Sequence, residues 1–424
     1  MCDHYHPQSC DTPDPSDAGF TRRRFLGHGL GLVSAATTVP AFLLRAGDAL
    51  AADTTMRLSS KPGVPDDRVL LVVQLSGGND GLNTVVPYGI DAYHKARPTL
   101  GIKPKDALTL PGSDRIGLHP GLAPVRDMIH DGLAGVVQGV GYPNPNRSHF
   151  SSMDIWHTAD AEGESRQGWL GQAIDQLDRP SGLDLVSLGS EAPLAASGER
   201  TRAVSFQNPY TFRWNGRQLH QDVSAAYDAV HDQGVESGDE DPLAFVNRTA
   251  MDAQVASDRV RKATQGDLKA DWPNNGLANQ LKMIAKMIRA DLPTRVYYVA
   301  MGGFDTHANQ ANNHQRLMQQ FARSMAAFYR ELDASGDRSR VVSLAFSEFG
   351  RRVAQNASAG TDHGAAGPSF VFGEHINPGL LGTYPSLEPE HLDRGDIAHT
   401  VDFRSLYTDL LQGWMKLDAK QALG

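Results

Sequence analysis

The apolar positions of the chain fall into short continuous runs that alternate with runs of helical spacing. Residues 69–75 are apolar at every position except Gln74, and Val and Leu make up the rest. Such a run favours a strand that is covered on both faces, as in a parallel sheet. Similar runs predict three more strands, at 133–140, 295–300 and 340–346.

Between these runs, apolar residues recur at the spacing of amphipathic helices. Four of them, at positions i, i+4, i+7 and i+11, mark one face of a helix: Leu277, Leu281, Ile284 and Ile288. The pattern predicts further helices at 122–129, 149–156, 317–332 and 402–416. Strands that alternate with helices predict an α/β fold with a doubly wound, mostly parallel sheet. Residues 93–111 look irregular, and 369–373 read as a short edge strand.

The segment 163–275 has a weaker strand signal than the rest of the chain. Only 185–188 and 203–206 resemble strands, and an acidic, Gly-rich run at 233–242 predicts a surface loop. The remainder is helical in pattern. We therefore expect one α/β domain over 68–424, with a largely helical insertion or cap at about 163–275.

The N-terminus has the pattern of an export signal. Basic residues 22–24 precede a mildly apolar run at 29–44, and Ala49-Leu50-Ala51 is a small-x-small cleavage site. The paired arginines indicate the twin-arginine route, with that translocase as a partner during export. The alternative is an uncleaved membrane anchor, for which the run is short and mild. Residues 1–51 are thus predicted as a signal peptide and 52–67 as a flexible lead-in, and the protein as periplasmic or extracellular.

Composition limits the possible chemistry. The formal net charge is −9 and no Lys/Arg cluster follows the signal, which argues against nucleic acid as a partner. Both cysteines, Cys2 and Cys10, precede the predicted cleavage site. The mature chain therefore has no disulfide or thiolate, and any metal must be held by oxygen or imidazole ligands.

Polar side chains follow the predicted strands at their carboxyl ends. They are Asp80, Ser148, His149, Asp305, His307, Glu348, Asp362 and His363. If the strands are parallel, these ends share one edge of the sheet, which is where ligands bind in open α/β sheets. Carboxylates and imidazoles suit one or two divalent cations, with zinc, manganese and calcium as candidates.

The polar residues at the strand ends divide into predicted metal ligands and predicted catalytic residues. The metal ligands would be Asp80, Asp305, His307, Glu348, Asp362 and His363. Two metals about 4 Å apart would activate a hydroxyl nucleophile, for which Ser148 at a helix start is the candidate. Arg147 would bind a phosphate or sulfate group, and His149 is a third catalytic candidate. Simpler readings remain open: Ser148 as a helix cap, and Glu348 as the partner of Arg351 or Arg352.

Several motifs in this order resemble a bacterial exported family, domain-of-unknown-function family 1501. They are QLSGGNDGLNTVVPY, NRSHFSSMDIW, GGFDTHANQ, FSEFGRR and GTDHG, after the twin-arginine signal. The resemblance implies the fold of the alkaline phosphatase and sulfatase superfamily, with a two-metal site. It implies a first-strand metal ligand at Asp80, the nucleophile at Ser148 and a metal-binding pair at Asp305 and His307. It also implies an Asp-His-Gly where this chain has Glu348-Phe349-Gly350, and Asp362 and His363 would supply the missing ligands.

Two functions follow from these observations. The first is an exported metal-dependent hydrolase of small phosphate or sulfate esters. The second is a non-catalytic secreted protein that keeps the fold and one metal, and that binds a cell-surface partner. A Ser-His-Asp esterase is disfavoured because no G-x-S-x-G elbow is present, and no nicotinamide or P-loop fingerprint occurs.

Overall fold

The computed structural model describes residues 68–177, 182–201, 203–209 and 257–424. The predicted signal peptide, the lead-in and the acidic loop at 233–242 lie outside these residues. No helix in the described ranges is both long and apolar enough to cross a bilayer.

A central sheet organises the described part of the chain. Its nine strands lie in the order β11-β5-β10-β9-β1-β8-β6-β7, with β12 paired to β5. Their bounds are β1 Val69–Leu75, β5 Ala134–Gly141, β6 Leu185–Leu188, β7 Val204–Ser205, β8 Val296–Met301, β9 Val341–Phe346, β10 Gly367–Phe372, β11 Gly379–Leu381 and β12 Val401–Asp402. All pairings among these strands are parallel except those of β10 with β5 and β9. The prediction of an α/β fold with a mostly parallel sheet is confirmed.

The strand β1 lies in the middle of this sheet and is buried on both faces, as its apolar run predicted. It pairs in parallel with β8 on one side and β9 on the other. Side chains alternate along a strand, so Leu71 and Val73 pack into the core on one face while Leu70 and Val72 pack into the core on the other.

Helices cover both faces of the sheet. The helix bounds are α1 Gly81–Thr84, α2 Asp91–Ala96, α3 Ala123–His130, α4 His149–Thr158, α5 Trp169–Ile174, α6 Gly276–Arg289, α7 Gln310–Ser335, α8 Phe403–Thr408, which continues as a π-helix over Asp409–Met415, and α9 Ala419–Leu423. Helices α1 and α2 pack in a separate, smaller core. Helices α3, α6 and α7 share one core with the sheet, and α4, α5 and the C-terminal helices share the other. The predicted helices near 122–129, 149–156, 277–288, 317–332 and 402–416 are all confirmed.

Three local predictions need correction or extension. Residues 367–372 form β10, which is not an edge strand but lies between β5 and β9, because its apolar run pairs on both sides.

The region 93–111 is not irregular throughout: it contains the end of α2 and β3, Leu108–Leu110. The strand β3 joins β4, Ser113–Leu118, and β2, Val85–Val86, in a small second sheet. Within 163–275, β6 and β7 extend the central sheet.

The parallel arrangement brings several loops to one edge of the sheet. Strands β1, β5, β8 and β9 all run in the same direction, so the loops that follow them leave from the same side. The loop between β9 and β10 also returns to that edge, since β10 is antiparallel to β9. These loops carry the polar residues that the sequence singled out.

Candidate metal centre

Three side chains from three loops meet at the carboxyl edge of the sheet. His149 begins α4, Asp305 follows β8 and His363 lies in the loop before β10. One ligand atom from each lies within 4.8 Å of the others, and the described residues contain no second group of this kind. The Nε2 atoms of His149 and His363 lie 3.5 Å and 3.4 Å from Asp305 Oδ1.

His307 adjoins two members of this group. Its Nε2 is 3.1 Å from Asp305 Oδ1 and 2.9 Å from the Nε2 of His363. Asp305 and His307 are two residues apart, and their side chains reach the same point, as the alternation in the motif predicted. We refer to His149, Asp305, His307 and His363 as the His/Asp cluster.

Each imidazole of the cluster is held from behind through its other nitrogen. The Nδ1 of His149 lies 2.7 Å from Glu348 Oε1, and the Nδ1 of His307 lies 3.1 Å from Asp362 Oδ1. The Nδ1 of His363 lies 2.7 Å from the backbone oxygen of Arg147. A carboxylate or carbonyl oxygen only accepts, so each Nδ1 carries the proton and donates it.

The tautomer that follows leaves the Nε2 atoms without protons. In a neutral imidazole, protonation of Nδ1 makes Nε2 a lone-pair acceptor. His149 Nε2 is buried and makes no hydrogen bond to any described residue. The Nε2 atoms of His307 and His363 lie 2.9 Å apart, and in the neutral, Nδ1-protonated tautomers their lone pairs would face each other. The cluster therefore has the donors of a cation site, and a cation would relieve both features.

Arg351 fixes the carboxylate of the cluster. Its guanidinium is fully buried and donates to Asp305 Oδ1 at 2.7 Å. It also donates to the backbone oxygens of Gly78, Thr361 and Phe304 at 2.7, 3.0 and 3.1 Å. Partial burial acts to raise the pKa of Asp305, but the hydrogen bond and the positive charge of Arg351 outweigh it, so this pKa lies below its ordinary value. The carboxylate is therefore ionised and ready to bind a cation.

Glycines allow the loops to approach this closely. A Cβ at Gly77 would lie 2.4 Å from the backbone nitrogen of Asp305, and a Cβ at Gly360 would lie 2.2 Å from the carbonyl carbon of His307. Gly77 also has φ +118°, which L side chains rarely adopt. The GGND motif after β1 thus provides space for the loop that carries Asp305.

Phe349 forms an apolar wall of the cluster. It is buried, and its ring centroid lies 4.9 Å from those of both His149 and His363. The resemblance implied a metal-binding histidine at this position. In this chain a phenyl ring packs against two of the imidazoles there and restricts their rotation.

The remaining predicted ligands lie outside the cluster. Glu348 and Asp362 stand behind His149 and His307, as described above. Asp80 is fully buried, accepts from Arg97 at 2.5 Å and caps the start of α1. Burial acts to raise the pKa of Asp80, and Arg97 outweighs it, so that this pKa is lowered. The structure thus does not bring Asp80 to the cluster.

The predicted catalytic residues flank the cluster. Ser148 is exposed at the N-cap of α4, directly before His149, and its side chain makes no capping hydrogen bond. Arg147 donates from Nε to Asp396 Oδ2 at 2.8 Å and from a second nitrogen to the same atom. Arg352, which the prediction did not assign to the site, lies 3.3 Å from Asp396 Oδ1. Two guanidinium groups therefore share one buried carboxylate, so that these three side chains together carry a net charge of +1.

A polar cleft of about 530 Å³ opens at the same edge of the sheet. Gly302 and Gly303, which lead from β8 towards Asp305, form part of its wall. Its lining also includes Arg316, Gln207, Asn279 and Gln320 beside several Leu and Met side chains, and none of the described residues that line it is acidic. The loop after β8 thus lines the cleft with Gly302 and Gly303 and carries Asp305 of the cluster two residues later.

The chain matches a known protein family over most of its length. A family model described as protein of unknown function (DUF1501) matches residues 133–423, more than half of the chain. The chain belongs to this family. The match contains His149, Asp305, His307 and His363, so the whole cluster lies within the DUF1501 region. The resemblance seen in the sequence motifs is therefore confirmed at the level of the family. No curated protein matches the chain.

Solved structures with a similar arrangement are distant from this DUF1501 protein. The C-terminal periplasmic domain of EcEptC from Escherichia coli, in complex with zinc, is 10% identical, with a TM-score of 0.37 over 76% of this chain and 77% of that one. Alkaline phosphatase from the Antarctic bacterium TAB5 is 8% identical, with a TM-score of 0.34 over 84% and 99%. The lipoteichoic acid synthase LtaP from Listeria monocytogenes is 9% identical, with a TM-score of 0.32 over 79% and 73%.

Proposed function

We propose that this DUF1501 protein is an exported metal-dependent hydrolase of small phosphate or sulfate esters, with one divalent metal held by the His/Asp cluster. The observation that carries the proposal is the orientation of the three imidazoles. Each Nδ1 is fixed by an acceptor, so each Nε2 presents a lone pair beside the carboxylate of Asp305. Metal-binding histidines are held in this way by carboxylates and backbone carbonyls.

The donor set favours zinc over calcium. Imidazole nitrogens and one carboxylate suit zinc, whereas calcium takes six to eight oxygen ligands. Manganese remains the second candidate, as a metal that accepts carboxylate ligands. When bound, such a metal would polarise an ester oxygen and lower the pKa of a coordinated hydroxyl or water. We propose one metal rather than two, since Asp80 is paired with Arg97 away from the cluster.

The surroundings of the cluster support an anionic substrate. Arg147 and Arg352 share Asp396, and their side chains are 32% and 41% exposed. This positive charge would bind the phosphate or sulfate group. Ser148 is proposed as the nucleophile because it is exposed and directly precedes the ligand His149. The cleft beside Gly302 would hold the organic part of the ester, and Arg316 in its lining favours a group without positive charge.

Export by the twin-arginine route is part of the same proposal and rests on the sequence at 21–51. The translocase would then be a partner only during export, and the protein would act in the periplasm or outside the cell. A comparison of the chain with Arg22→Lys/Arg23→Lys, which conserves charge, would test the route. We expect the variant to stay in the cytoplasm, and normal export of the variant would contradict the proposal.

The test of the metal site is elemental analysis of the purified full chain. We expect one equivalent of zinc or manganese per chain, and its loss in Asp305→Ala/His307→Ala. The matched control is His130→Ala/Asp131→Ala, which removes an exposed His/Asp pair at the end of α3. No metal in the wild-type protein, even after dialysis against zinc and removal of excess, would overturn the proposal.

Catalysis is tested separately with 4-nitrophenyl phosphate, bis(4-nitrophenyl) phosphate and 4-nitrophenyl sulfate. We expect turnover of at least one ester by the metal-loaded protein. Ser148→Ala should abolish this turnover while the metal content stays the same.

A non-catalytic binding protein is the second candidate, favoured by the pairing of Asp80 with Arg97 in place of a second metal. It would retain one metal and hydrolyse none of the three esters. The partner in that case would be a cell-surface molecule.

A further inference from the structure

Gln310, at the start of α7, lies beneath the His/Asp cluster and is fully buried. Its Oε1 accepts hydrogen bonds from the hydroxyls of Thr306 and Thr361 at 3.0 Å and 2.6 Å. Its Nε2 donates to Asp80 Oδ2. A single amide therefore links three polar side chains, all of which are buried.

The two threonines belong to the segments that carry the cluster. Thr306 lies between Asp305 and His307, and Thr361 lies two residues before His363. The backbone nitrogen of Thr361 also donates to the backbone oxygen of Thr306 at 3.2 Å. These segments come from different strand ends, so their relative position depends on contacts of this kind. The amide of Gln310 thus holds together the segments that present three of the four cluster residues.

Asp80 provides the fixed point for this amide. Its carboxylate accepts from Arg97 Nη1 at 2.5 Å and from the backbone nitrogen of Asn83 at 3.4 Å. Arg97 in turn donates to the backbone oxygens of Val353 and Arg352 at 3.0 Å and 2.9 Å. The ion pair is fully buried, so neither partner can move without leaving a buried group unsatisfied.

We propose that Asp80 and Gln310 are positioning residues of the metal centre, which set the distance between the segment 305–307 and the segment 361–363 without contacting the metal. The inference rests on the metal site proposed above and assigns a role to the GGND motif that differs from direct ligation. Asp80 orients the amide through its Nε2, and the amide holds both threonine hydroxyls through its Oε1. Such outer contacts tune a site because they keep each ligand in the orientation that binding requires.

The first test is zinc affinity, measured by competition with a chelator of known affinity. Gln310→Met has a similar length and volume and removes all three hydrogen bonds. We expect it to bind zinc about 10- to 100-fold more weakly than the wild type at unchanged stoichiometry. The matched control is Gln138→Met, which removes a buried amide that donates to the backbone oxygens of Leu381 and Gly382. The control should lose stability with no change in zinc affinity.

A double-mutant cycle separates positioning from general destabilisation. Thr361→Val removes one hydroxyl and conserves shape, and we expect it to weaken zinc binding in the wild-type background. In the Gln310→Met background the same change should have no further effect, since its acceptor is already gone. Equal effects in the two backgrounds would contradict the proposed link. If Gln310→Met does not fold, Thr361→Val and Thr306→Val alone test it, and unchanged zinc affinity in both would overturn the inference.

Asp80→Asn distinguishes positioning from ligation. As a positioning residue, Asp80 can be replaced at a cost in affinity while one zinc per chain still binds. A loss of stoichiometry in Asp80→Asn, with the fold retained, would show that Asp80 is a ligand and would overturn the inference. Absence of zinc from the wild-type protein would instead contradict the proposed function. Visible spectra of the cobalt-substituted protein provide a second readout, since a change in ligand geometry alters the bands of Gln310→Met but not those of Gln138→Met.

Discussion

Glu348 lies directly behind His149, with its Oε1 2.7 Å from the Nδ1 of the imidazole, while Nε2 of the same ring faces Asp305. The carboxylate is almost fully buried, and the backbone nitrogen of Gly77 also donates to Oε1, at 2.9 Å. Glu348 therefore fixes the tautomer and orientation of His149 and increases the electron density at Nε2.

Replacement of Glu348 by Gln removes this charge and conserves the shape. We expect Glu348→Gln to weaken zinc binding about tenfold, because the neutral amide polarises His149 less than the carboxylate does. The control is Glu331→Gln, since Glu331 is equally buried but accepts from the backbone of Lys269 and Ala270. Competition with a chelator measures the zinc affinities of both variants. Equal zinc affinities in the wild type, Glu348→Gln and the control would contradict the role of Glu348.

The central strands of the sheet are encoded by local sequence patterns. Continuous apolar runs predicted β1, β5, β8 and β9, and their shared direction was enough to place the polar loops at one edge. The role of each polar residue within that edge depends on contacts between loops far apart in sequence. Glu348 and Asp362 were predicted as ligands, but the structure places them behind His149 and His307, where each accepts from Nδ1.

Two residues show why the contacts between distant loops were not predictable from the sequence. Arg97 follows Asp80 by 17 positions in a region without a clear pattern, so no local signal identified their ion pair. Gln310 ends the quoted motif GGFDTHANQ, but its contact with Asp80 spans 230 positions. The prediction of β10 as an edge strand was wrong for a related reason. Its continuous apolar run was typical of a central strand, and only its pairing with β5 and β9 shows that it is one.

Phe349 should contribute to both stability and metal binding. Phe349→Ala removes a buried ring and leaves a cavity, for which we expect a loss of about 3–5 kcal/mol in the free energy of unfolding. Zinc affinity should also fall, because His149 and His363 lose the surface that restricts their rotation. Phe349→Leu should retain most of both properties. The control is Phe328→Ala in α7, where the side chain is similarly buried but packs in the core that α3, α6 and α7 share with the sheet. It should lose stability at unchanged zinc affinity, and an equal loss of affinity in the control would contradict the specific role.

Gly77 tests how closely the β1 and β8 loops must pack. Gly77→Ala would combine an unfavourable positive φ with a Cβ only 2.4 Å from the Asp305 nitrogen. The control Gly112→Ala has φ +86° and no atom within 4 Å of the new Cβ, so it measures the backbone cost alone. For the control we expect a loss of about 1–2 kcal/mol in the free energy of unfolding. For Gly77→Ala we expect a larger loss, together with weaker zinc binding. Chemical denaturation measures the stabilities, and equal losses in the two variants would contradict the close approach.

Arg352 should contribute to anion binding through its charge. Arg352→Gln leaves Arg147 alone with Asp396 and removes the net positive charge of these three side chains. We expect inorganic phosphate to inhibit ester turnover less strongly in this variant. The difference from the wild type should shrink at high salt, since exposed charges are screened. Arg126→Gln is the control, because Arg126 pairs with Asp127 on the surface of α3. If phosphate inhibits Arg352→Gln as strongly as the wild type, Arg352 has no part in anion binding.

His157 should make the protein less stable in acid. Its ring is buried in α4, with Nε2 3.0 Å from the hydroxyl of Tyr298, and burial lowers its pKa to about 4 from 6.5. Between these values the unfolded chain binds a proton that the folded protein does not. The contribution to stability is therefore complete above pH 6.5 and falls as the pH decreases towards 4. The full pKa shift of His157 corresponds to about 3 kcal/mol in the free energy of unfolding.

The variant His157→Gln removes this titration and retains a polar group near Tyr298. Urea unfolding at a series of pH values should show that the difference in stability between wild type and variant changes most between pH 6.5 and 4. His314 has a similarly lowered pKa of about 4, mainly because of burial, and it remains in both proteins. The acid response common to wild type and variant therefore cancels, and only the contribution of His157 remains in the difference. A difference that is constant across this range would show that His157 is not the group responsible.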